Sequence, residues 1–318
     1  MISSIQSRHL CAVLLFGAFT LAQAEPFSFG LFGDMPYSDA ERARLPKLIE
    51  EMDGEDLSFV VHDGDIKNGH SRCTDETFLD IRAVFNASSH PLIYVPGDNE
   101  WTDCHRKNNG GYDPVERLQK LRELFFRDDQ SLGQRKLRLS NQRHGKQFSG
   151  YPENSRWEQG GVLFVGLNVP GSNNAIVNPR KPSAEYLQRA RANRAWLAQA
   201  YARAREARLA GIMIVIQANP QLRAANAGHA PPGYQELIEQ LRAETMNYAG
   251  QVVLVHGDTH NFRIDQPLLD PRTREPLKNF TRVETFGSPI IGWIKANADA
   301  STPQVFRFEA RPYQPAQW

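Results

Sequence analysis

Short apolar segments alternate with amphipathic segments over the first third of the chain. Residues 27–32, 57–61 and 91–95 form apolar runs of strand length, while residues 40–52 and 75–85 carry apolar side chains at helical spacing. Since strands that alternate with helices usually pair in parallel, this pattern predicts a parallel sheet with helices packed on its faces.

The rest of the chain continues this alternation and then becomes rich in turns. The further segments that we predict as helices or strands are, in chain order, 115–126, 157–167, 183–207, 211–216, 232–246 and 252–255. Residues 128–151 are polar with little periodicity and predict an inserted loop. After residue 262, β-prone stretches at 281–286 and 304–308 predict antiparallel strands that complete a second sheet. The whole pattern predicts an α/β protein of two mixed sheets flanked by helices.

The first 24 residues have the features of an export signal. Arg8 supplies positive charge, residues 10–21 form a short apolar core, and Ala22-Gln23-Ala24 is a small-residue cleavage site. The core is too short to span a bilayer comfortably. We therefore expect residues 1–24 to be removed, leaving one domain at 25–318 that is periplasmic or secreted and has no membrane span. A retained membrane anchor is the alternative.

The composition narrows the class of protein without naming a function. Of 318 residues, 41% are apolar and 23% charged, as is typical of a globular protein. Lysine plus arginine number 37 and aspartate plus glutamate 36, so no excess of positive charge is available to bind a polyanion. General binding of nucleic acid is therefore not expected. The sequence does not predict an oligomeric state.

Cysteine usage adds one covalent expectation. Cys73 and Cys104 are the two cysteines left after removal of the signal. An exported protein with an even number of cysteines favours a disulfide. Such a bond would join two of the loops that follow predicted strands; two free thiols are the alternative.

Four predicted strands are followed by Gly-Asp, and this is the strongest chemical signal in the sequence. The aspartates are Asp34, Asp65, Asp98 and Asp258, and His260 comes shortly after the last of them. The carboxyl ends of parallel strands meet at one edge of a sheet. Because several carboxylates at one place repel each other unless a cation lies among them, the pattern predicts one or two divalent metal ions. A metal pair can hold a phosphate ester and activate water for attack on phosphorus.

At these residues the chain resembles the calcineurin-like metallophosphoesterases, over residues 27–308. That family has Asp-x-His after its first strand, Gly-Asp after the second, Gly-Asn-His-Glu after the third, a lone His, and a final Gly-His-x-His. Asp34 and Asp65 match the first two aspartates, while residues 97–100 and 257–260 stand at the third and last motifs. The resemblance implies a four-layer α/β/β/α sandwich of two mixed sheets flanked by helices.

The chain departs from the family pattern mainly at the histidines. Non-histidine residues stand at four family histidine positions, namely Pro36, Asn99, Gln217 and Asp258. The metal ligands that the resemblance implies are Asp34, Asp65, Asp98, Asp258 and His260, with Gln217 and Asn219 as further candidates. Such an oxygen-rich shell favours Mn, Mg or Ca, with Fe or Zn as alternatives.

The same resemblance suggests residues for catalysis and for substrate contact. Asn99 stands at the catalytic histidine position but cannot shuttle a proton, so the general acid would be His62, His256 or His105. The predicted substrate contacts are Tyr37, Glu100, Trp101 and Asn173. Tyr37 is also a possible metal ligand, since purple acid phosphatases of the same superfamily use a tyrosine on a nearby loop.

Two functional hypotheses follow from these residues. The first is an exported hydrolase that cleaves a small phosphate-ester substrate by metal-bound hydroxide. The second is a catalytically inactive protein that keeps the metallophosphoesterase fold and binds a ligand. The identity of the substrate is open in both.

Overall fold

The computed structural model describes residues 25–314, so the predicted export signal lies outside the described residues. The strands are β1 (Phe27–Phe32), β2 (Val60–His62), β3 (Leu92–Tyr94), β4 (Ser140–Asn141), β5 (Ser155–Gln159), β6 (Val162–Gly166), β7 (Gly211–Val215), β8 (Gln251–His256), β9 (Arg263–Asp265), β10 (Phe280–Glu284), β11 (Gly292–Ala298) and β12 (Phe306–Pro312). The α-helices are α1 (Asp39–Asp53), α2 (Asp75–Ala87), α3 (Pro114–Phe125), α4 (Ala184–Glu206), α5 (Leu222–Asn226) and α6 (Gln235–Met246). Within this part of the chain, no helix has the length and apolar character needed to cross a membrane.

The first sheet has the strand order β12-β11-β1-β2-β3. Strands β1, β2 and β3 run parallel to one another, as predicted. Helices α1, α2 and α3 cover its outer face through buried side chains such as Leu48, Phe78 and Leu121. The first helix begins where predicted, because the Ser38 hydroxyl accepts a hydrogen bond from the Glu41 backbone N–H.

The second sheet has the order β4-β5-β6-β7-β8-β10-β9, with β6, β7, β8 and β10 parallel. Helices α4 and α6 cover its outer face through residues such as Trp196, Leu197 and Leu241. The inner faces of the two sheets meet in an aromatic core in which Phe59 packs against Phe164 at a ring separation of 5.0 Å. The layers are therefore helix, sheet, sheet and helix.

The C-terminal part differs from the prediction of antiparallel strands that complete a second sheet. β10 joins the second sheet, but parallel to β8, while β11 and β12 join the first sheet antiparallel to β1. Without β11, one edge of β1 would present unpaired backbone groups. The alternation of side chains along a strand does not reveal which edge that strand will pair with. The predicted loop at 128–151 also holds the short strand β4.

Candidate functional site

The loops after β1, β2, β3 and β8 bring the four predicted aspartates together. Asp34, Asp65 and Asp98 are buried, with 0%, 3% and 6% of their surface exposed, and Asp258 is partly buried. Three of them adopt left-handed backbone conformations, with φ of 47° at Asp34, 58° at Asp65 and 75° at Asp258. Non-glycine residues rarely adopt this conformation, and where they do the strain is often associated with a functional site.

The first group of contacts joins Asp34, Asp65, Tyr37, Asn99 and His260. The Tyr37 hydroxyl donates to Asp65 Oδ2 at 2.6 Å, and Asn99 Nδ2 donates to the same oxygen at 2.7 Å. His260 Nε2 lies 3.3 Å from the Tyr37 hydroxyl and 3.5 Å from Asp34 Oδ1. Three polar side chains that lie far apart in the sequence therefore meet around Asp65 and Asp34.

The orientation of His260 is set by a backbone carbonyl. His260 Nδ1 lies 2.7 Å from Ser288 O. Because a carbonyl only accepts hydrogen bonds, Nδ1 carries the proton and Nε2 faces the carboxylates. A histidine held in this way presents one ring nitrogen for a metal ion or for an ion pair. Burial alone would lower the pKa of His260, but the hydrogen bond to Asp34 and its charge raise it overall.

The second group of contacts joins Asp98 and Asp258 around Gly171. A Cβ atom at Gly171 would lie 2.7 Å from Asp258 Oδ1 and 2.8 Å from Asp98 Oδ2, so only glycine leaves both oxygens in place. The Gly171 N–H donates to Gln217 Oε1 at 2.5 Å, and the Ser172 hydroxyl donates to Asp98 Oδ2 at 2.6 Å. The two groups are connected, since the Asp258 N–H donates to both carboxylate oxygens of Asp34 at 3.0–3.1 Å.

Burial and mutual repulsion act together on these carboxyl groups. Burial raises the pKa of Asp34 and raises that of Asp65 well above its usual range, and the charge of Asp98 adds to both shifts. Burial followed by the charge of Asp98 raises the pKa of Asp258 to about 7. A cation among these groups would stabilise their ionised forms. The electrostatics of the cluster therefore favour the binding of positive charge.

Lys67 supplies one buried positive charge that was not predicted from the sequence. Only 3% of the surface of Lys67 is exposed, and its ammonium group donates to Asn99 O at 2.7 Å and to Asn68 O at 2.8 Å. Burial lowers the pKa of Lys67 to about 8, against the opposing charges of Glu100 and Asp65. Its position two residues after the Gly-Asp at Asp65 was the available signal, but an isolated lysine in a loop is normally solvated.

The disulfide expected from cysteine usage is present. Cys73 and Cys104 are bonded across a separation of 31 residues and are both fully buried. Their sulfur atoms lie 3.5 Å and 3.7 Å from Asn99 O, the carbonyl that also accepts from Lys67. The bond therefore packs directly beneath the loop that carries Asp98 and Asn99.

Glu100 supports the cluster from behind and is not positioned to contact a substrate. It is 0% exposed, and its Oε1 accepts from the Asp65 N–H at 3.1 Å, the Gly97 N–H at 2.6 Å and the Tyr94 hydroxyl at 2.7 Å. Glu100 thus fixes the Asp65 loop to the loop after β3. Glu100 was predicted to contact substrate, but its carboxylate is fully buried, with Oε1 bonded to both loops and Oε2 without a partner among the described residues.

Asn219 and Gln217 flank the cluster with their polar groups already engaged. The Asn219 backbone N–H donates to Asp258 Oδ2 at 3.0 Å, while its side-chain Nδ2 donates to Thr259 Oγ1. Gln217 Oε1 is taken by the Gly171 N–H, which leaves its buried Nε2 without a partner among the described residues. Both residues are near the aspartates, but in this arrangement Gln217 offers a donor and not a metal ligand.

His62 and His256 do not reach the cluster, contrary to the prediction that one of them acts as general acid. His62 is fully buried among Phe32, Phe85 and Tyr94, and His256 Nδ1 binds Gly257 O at 2.8 Å. Burial lowers the pKa of each histidine to about 3, so both are neutral. Strand alternation explains the error, because each ends a strand with its side chain directed into the protein interior.

Of the three predicted general acids, His105 is the one that lies beside the cluster. It follows Trp101 in the same loop and lines a cavity together with Trp101 and Ser172. His105 Nδ1 lies 2.7 Å from Thr102 O and therefore carries a proton, which leaves Nε2 available. Trp101, a predicted substrate contact, also lines this cavity, although only 1% of its surface is exposed.

Asn173 lies in an unusual left-handed turn at Gly171–Asn174. Ser172, Asn173, Asn174 and Ala175 have φ between 49° and 63°, a run of non-glycine residues that costs energy at each step. Asn173 Oδ1 accepts from the Gly233 N–H at 3.0 Å. Asn173 therefore stabilises the turn, and the neighbouring Ser172 makes the contact with the cluster.

The donor chemistry of the site fits a hard cation. The groups that converge are carboxylates, a phenol oxygen and one imidazole nitrogen, which suit Mn, Mg or Ca better than a soft metal. In residues 25–314, however, no three or more His, Cys, Asp or Glu side chains are grouped closely enough to form a ready metal site.

Comparison with known proteins supports the fold. No protein-family model and no curated protein matches the sequence. Among solved structures, a dimetal phosphatase from Danio rerio has a TM-score of 0.57 and 14% identity, covering 91% of this chain and 97% of that one. PhoD has a TM-score of 0.55 and 14% identity, covering 88% and 65%. Purple acid phosphatase PPD1 from yellow lupin (Lupinus luteus) has a TM-score of 0.52 and 14% identity, covering 91% and 54%.

These likenesses, at 14% identity, concern the fold. The chain has the calcineurin-like metallophosphoesterase fold, and the predicted four-layer α/β/β/α arrangement is confirmed. The motif departures seen in the sequence are consistent with this low identity.

Proposed function

We propose that the protein is a metal-dependent phosphoesterase that hydrolyses a small phosphate ester. The observation that carries this proposal is the convergence of Asp34, Asp65, Asp98 and Asp258, buried or nearly so, with His260 Nε2 facing Asp34 at 3.5 Å. Enclosing so many acidic groups at one place is costly unless a cation or a proton compensates them. The phosphatase folds of the structural neighbours support the same class of reaction.

In this proposal the first contact group holds one cation and the second group holds another. Asp34, Asp65, Tyr37 and His260 would hold the first, while Asp98 and Asp258 would hold the second. A bound divalent ion would polarise the phosphoryl group and lower the pKa of a water molecule. The oxygen-rich set favours Mn, Mg or Ca.

The residues of the chain have distinct roles around the reacting phosphate. Asn99 Nδ2 donates to both Asp65 and the Tyr37 hydroxyl, so it holds these two oxygens in place. The unpartnered Gln217 Nε2 is a donor available for a phosphoryl oxygen. In its imidazolium form, His105 would also carry a proton on Nε2 and, at the edge of the cavity, would give that proton to the departing alcohol oxygen.

Replacing the central aspartate tests this function. Asp65→Ala is expected to reduce turnover of phosphate esters by more than about a hundredfold, because the central carboxylate of the first contact group is lost. Phosphate release is measured with Mn, Mg or Ca present. Asp80→Ala is the matched control, since Asp80 is exposed and pairs only with Arg42 among the described ion pairs. Near-normal turnover in Asp65→Ala would rule out the proposed site.

A ligand-binding protein without catalysis is the second candidate. Two observations favour it. Among residues 25–314, no three or more His, Cys, Asp or Glu side chains form a ready metal site, and Gln217 Oε1, at a position where the family has a histidine, already accepts a hydrogen bond from the Gly171 N–H. This candidate predicts no turnover of any phosphate ester with any divalent ion.

We also propose that the protein is exported. A buried disulfide between Cys73 and Cys104 suits an oxidising compartment outside the cytoplasm. Detection of a mature chain that begins after Ala24 in the exported fraction would support this, and a full-length chain in the cytoplasm would contradict it.

A further inference from the structure

A cavity of about 280 Å³ lies beside the aspartate cluster. Its lining includes Trp101 and Ser172 together with the apolar side chains of Pro114, Val115, Ala175 and Val177. These residues come from three separate parts of the chain: the loop after β3, the start of α3 and the left-handed turn. The cavity is therefore a feature of the folded protein and not a groove within one loop.

A hydrogen bond of Ser172 connects this cavity to the cluster. The Ser172 hydroxyl lies 2.6 Å from Asp98 Oδ2 and 3.0 Å from Asp103 Oδ1, and both Ser172 and Asp103 line the cavity. A group bound at Asp98 is thus separated from the cavity by one side chain. The strained turn at Gly171–Asn174 maintains this connection, because it places Ser172 between the two carboxylates.

The outer part of the cavity carries apolar side chains that are open to solvent. Val177 is 93% exposed and Val115 is 51% exposed, and they are two of the six large hydrophobic residues that are exposed in the described part of the chain. Neither valine is covered by another segment of the described chain. Apolar groups that meet at the mouth of a cavity next to polar residues are typical of a ligand site.

The charged residues that line the cavity are acidic. They are Asp103, Asp113 and Glu185, and no lysine or arginine is among the lining residues. Asp103 pairs with Arg106 and Glu185 pairs with Arg189, whereas Asp113 accepts only backbone hydrogen bonds, from Val115 and Glu116. An additional anion on a ligand would therefore be repelled here.

We infer that this cavity binds the alcohol portion of the phosphate ester and selects small apolar alcohols that are uncharged or cationic. The inference rests on the proposed function, in which the phosphate lies at the aspartates. A cavity of about 150 Å³ can hold benzene, so the observed volume accommodates one substituted ring or a chain of similar size. Nucleotides and other alcohols that carry a second anionic group are disfavoured, because the lining supplies acidic side chains and no lysine or arginine to pair with that group.

The experiment compares two substrates that differ in one remote charge. Benzyl phosphate and 4-carboxybenzyl phosphate have leaving alcohols of similar basicity, because a methylene group separates the ring from the ester oxygen. We expect kcat/KM to be at least about tenfold higher for benzyl phosphate. Val177→Lys places a cation at the cavity mouth and is expected to lower this ratio roughly three- to tenfold.

Ile264→Lys is the matched control, since Ile264 is 43% exposed and lies outside the cavity lining. It adds the same charge and is expected to leave the ratio unchanged. Equal rates for the two substrates, or a ratio that Val177→Lys and Ile264→Lys change alike, would overturn the inference while leaving the phosphoesterase function intact.

If neither substrate is turned over, the proposed function is contradicted. The cavity is then tested directly, by ligand binding. Binding of benzyl alcohol and of 4-(hydroxymethyl)benzoate is then followed by NMR through the methyl signals of Val115 and Val177. Shifts with benzyl alcohol but not with the benzoate would support the cavity as an alcohol site. No shift with either, or equal shifts with both, would overturn it.

Discussion

Gly171→Ala should separate the two carboxylates that the second contact group brings together. The new methyl group would lie 2.7 Å from Asp258 Oδ1 and 2.8 Å from Asp98 Oδ2, whereas ordinary contacts begin near 3.4 Å. Each oxygen would have to move by roughly 0.6–0.7 Å in a closely packed site. Metal–ligand distances tolerate changes of only about 0.2 Å. Cation binding should therefore suffer more than folding.

The expected magnitudes follow from this geometry. Overpacking by one methyl group costs about 1–3 kcal/mol of unfolding free energy. Alanine also makes the unfolded chain less flexible, which stabilises the folded state by about 0.4–1 kcal/mol. This gain applies because the φ of Gly171 is not positive, so that alanine can adopt the same backbone conformation. We expect a net loss of about 1–2 kcal/mol. The affinity for Mn²⁺ should fall about ten- to a hundredfold.

Isothermal titration with Mn²⁺ measures the affinity, and chemical denaturation without metal measures the stability. Gly150→Ala is the control, since a Cβ at Gly150 would meet no atom within 4 Å. It should leave both quantities close to those of the natural protein. A folded Gly171→Ala protein that binds Mn²⁺ with unchanged affinity would refute the idea that Asp98 and Asp258 share an ion.

Two further predictions concern stability. Replacing both Cys73 and Cys104 by serine should lower the unfolding free energy by about 3–4 kcal/mol, as expected for a bond that closes a loop of this length; unchanged denaturant midpoints would contradict it. In the folded protein His62 has a pKa of about 3 and stays neutral, whereas in the unfolded chain a histidine binds a proton below about pH 6.5. The free energy of unfolding therefore decreases as the pH falls below about 6.5. The stability difference between the natural protein and His62→Asn should narrow by about 2 kcal/mol from about pH 7.5 to about pH 5. A difference that stays constant over this pH range would contradict the low pKa of His62 in the folded protein.

The parts of the fold that were predicted correctly are those with strong local signals. β1 and the parallel pairing of β1, β2 and β3 follow from apolar runs that alternate with amphipathic helices. The convergence of the four aspartates was also predictable, because each directly follows a strand. In contrast, the addition of β11 to the edge of β1 depends on contacts about 270 residues apart in sequence.

The parts of the site that were not predicted depend on tertiary packing. The turn at Gly171–Asn174 runs against local propensity, since four successive non-glycine residues adopt left-handed conformations. In the sequence, Lys67 cannot be distinguished from an ordinary solvated lysine. Its burial depends on the folded loop of Asn99, whose carbonyl accepts from Lys67 and packs against the disulfide. The failure of His62 as general acid has the same origin, because its neighbours Phe85 and Tyr94 come from other elements.

The most direct test of the account is elemental analysis of the mature protein, purified from its own compartment without added metal or chelator. We expect one or two divalent ions per chain, lost in Asp65→Ala, which removes the carboxylate that accepts hydrogen bonds from Tyr37 and Asn99. A protein that contains no metal, and takes up none when incubated with Mn, Mg, Ca, Fe or Zn, would contradict the metal-dependent function and favour the ligand-binding alternative.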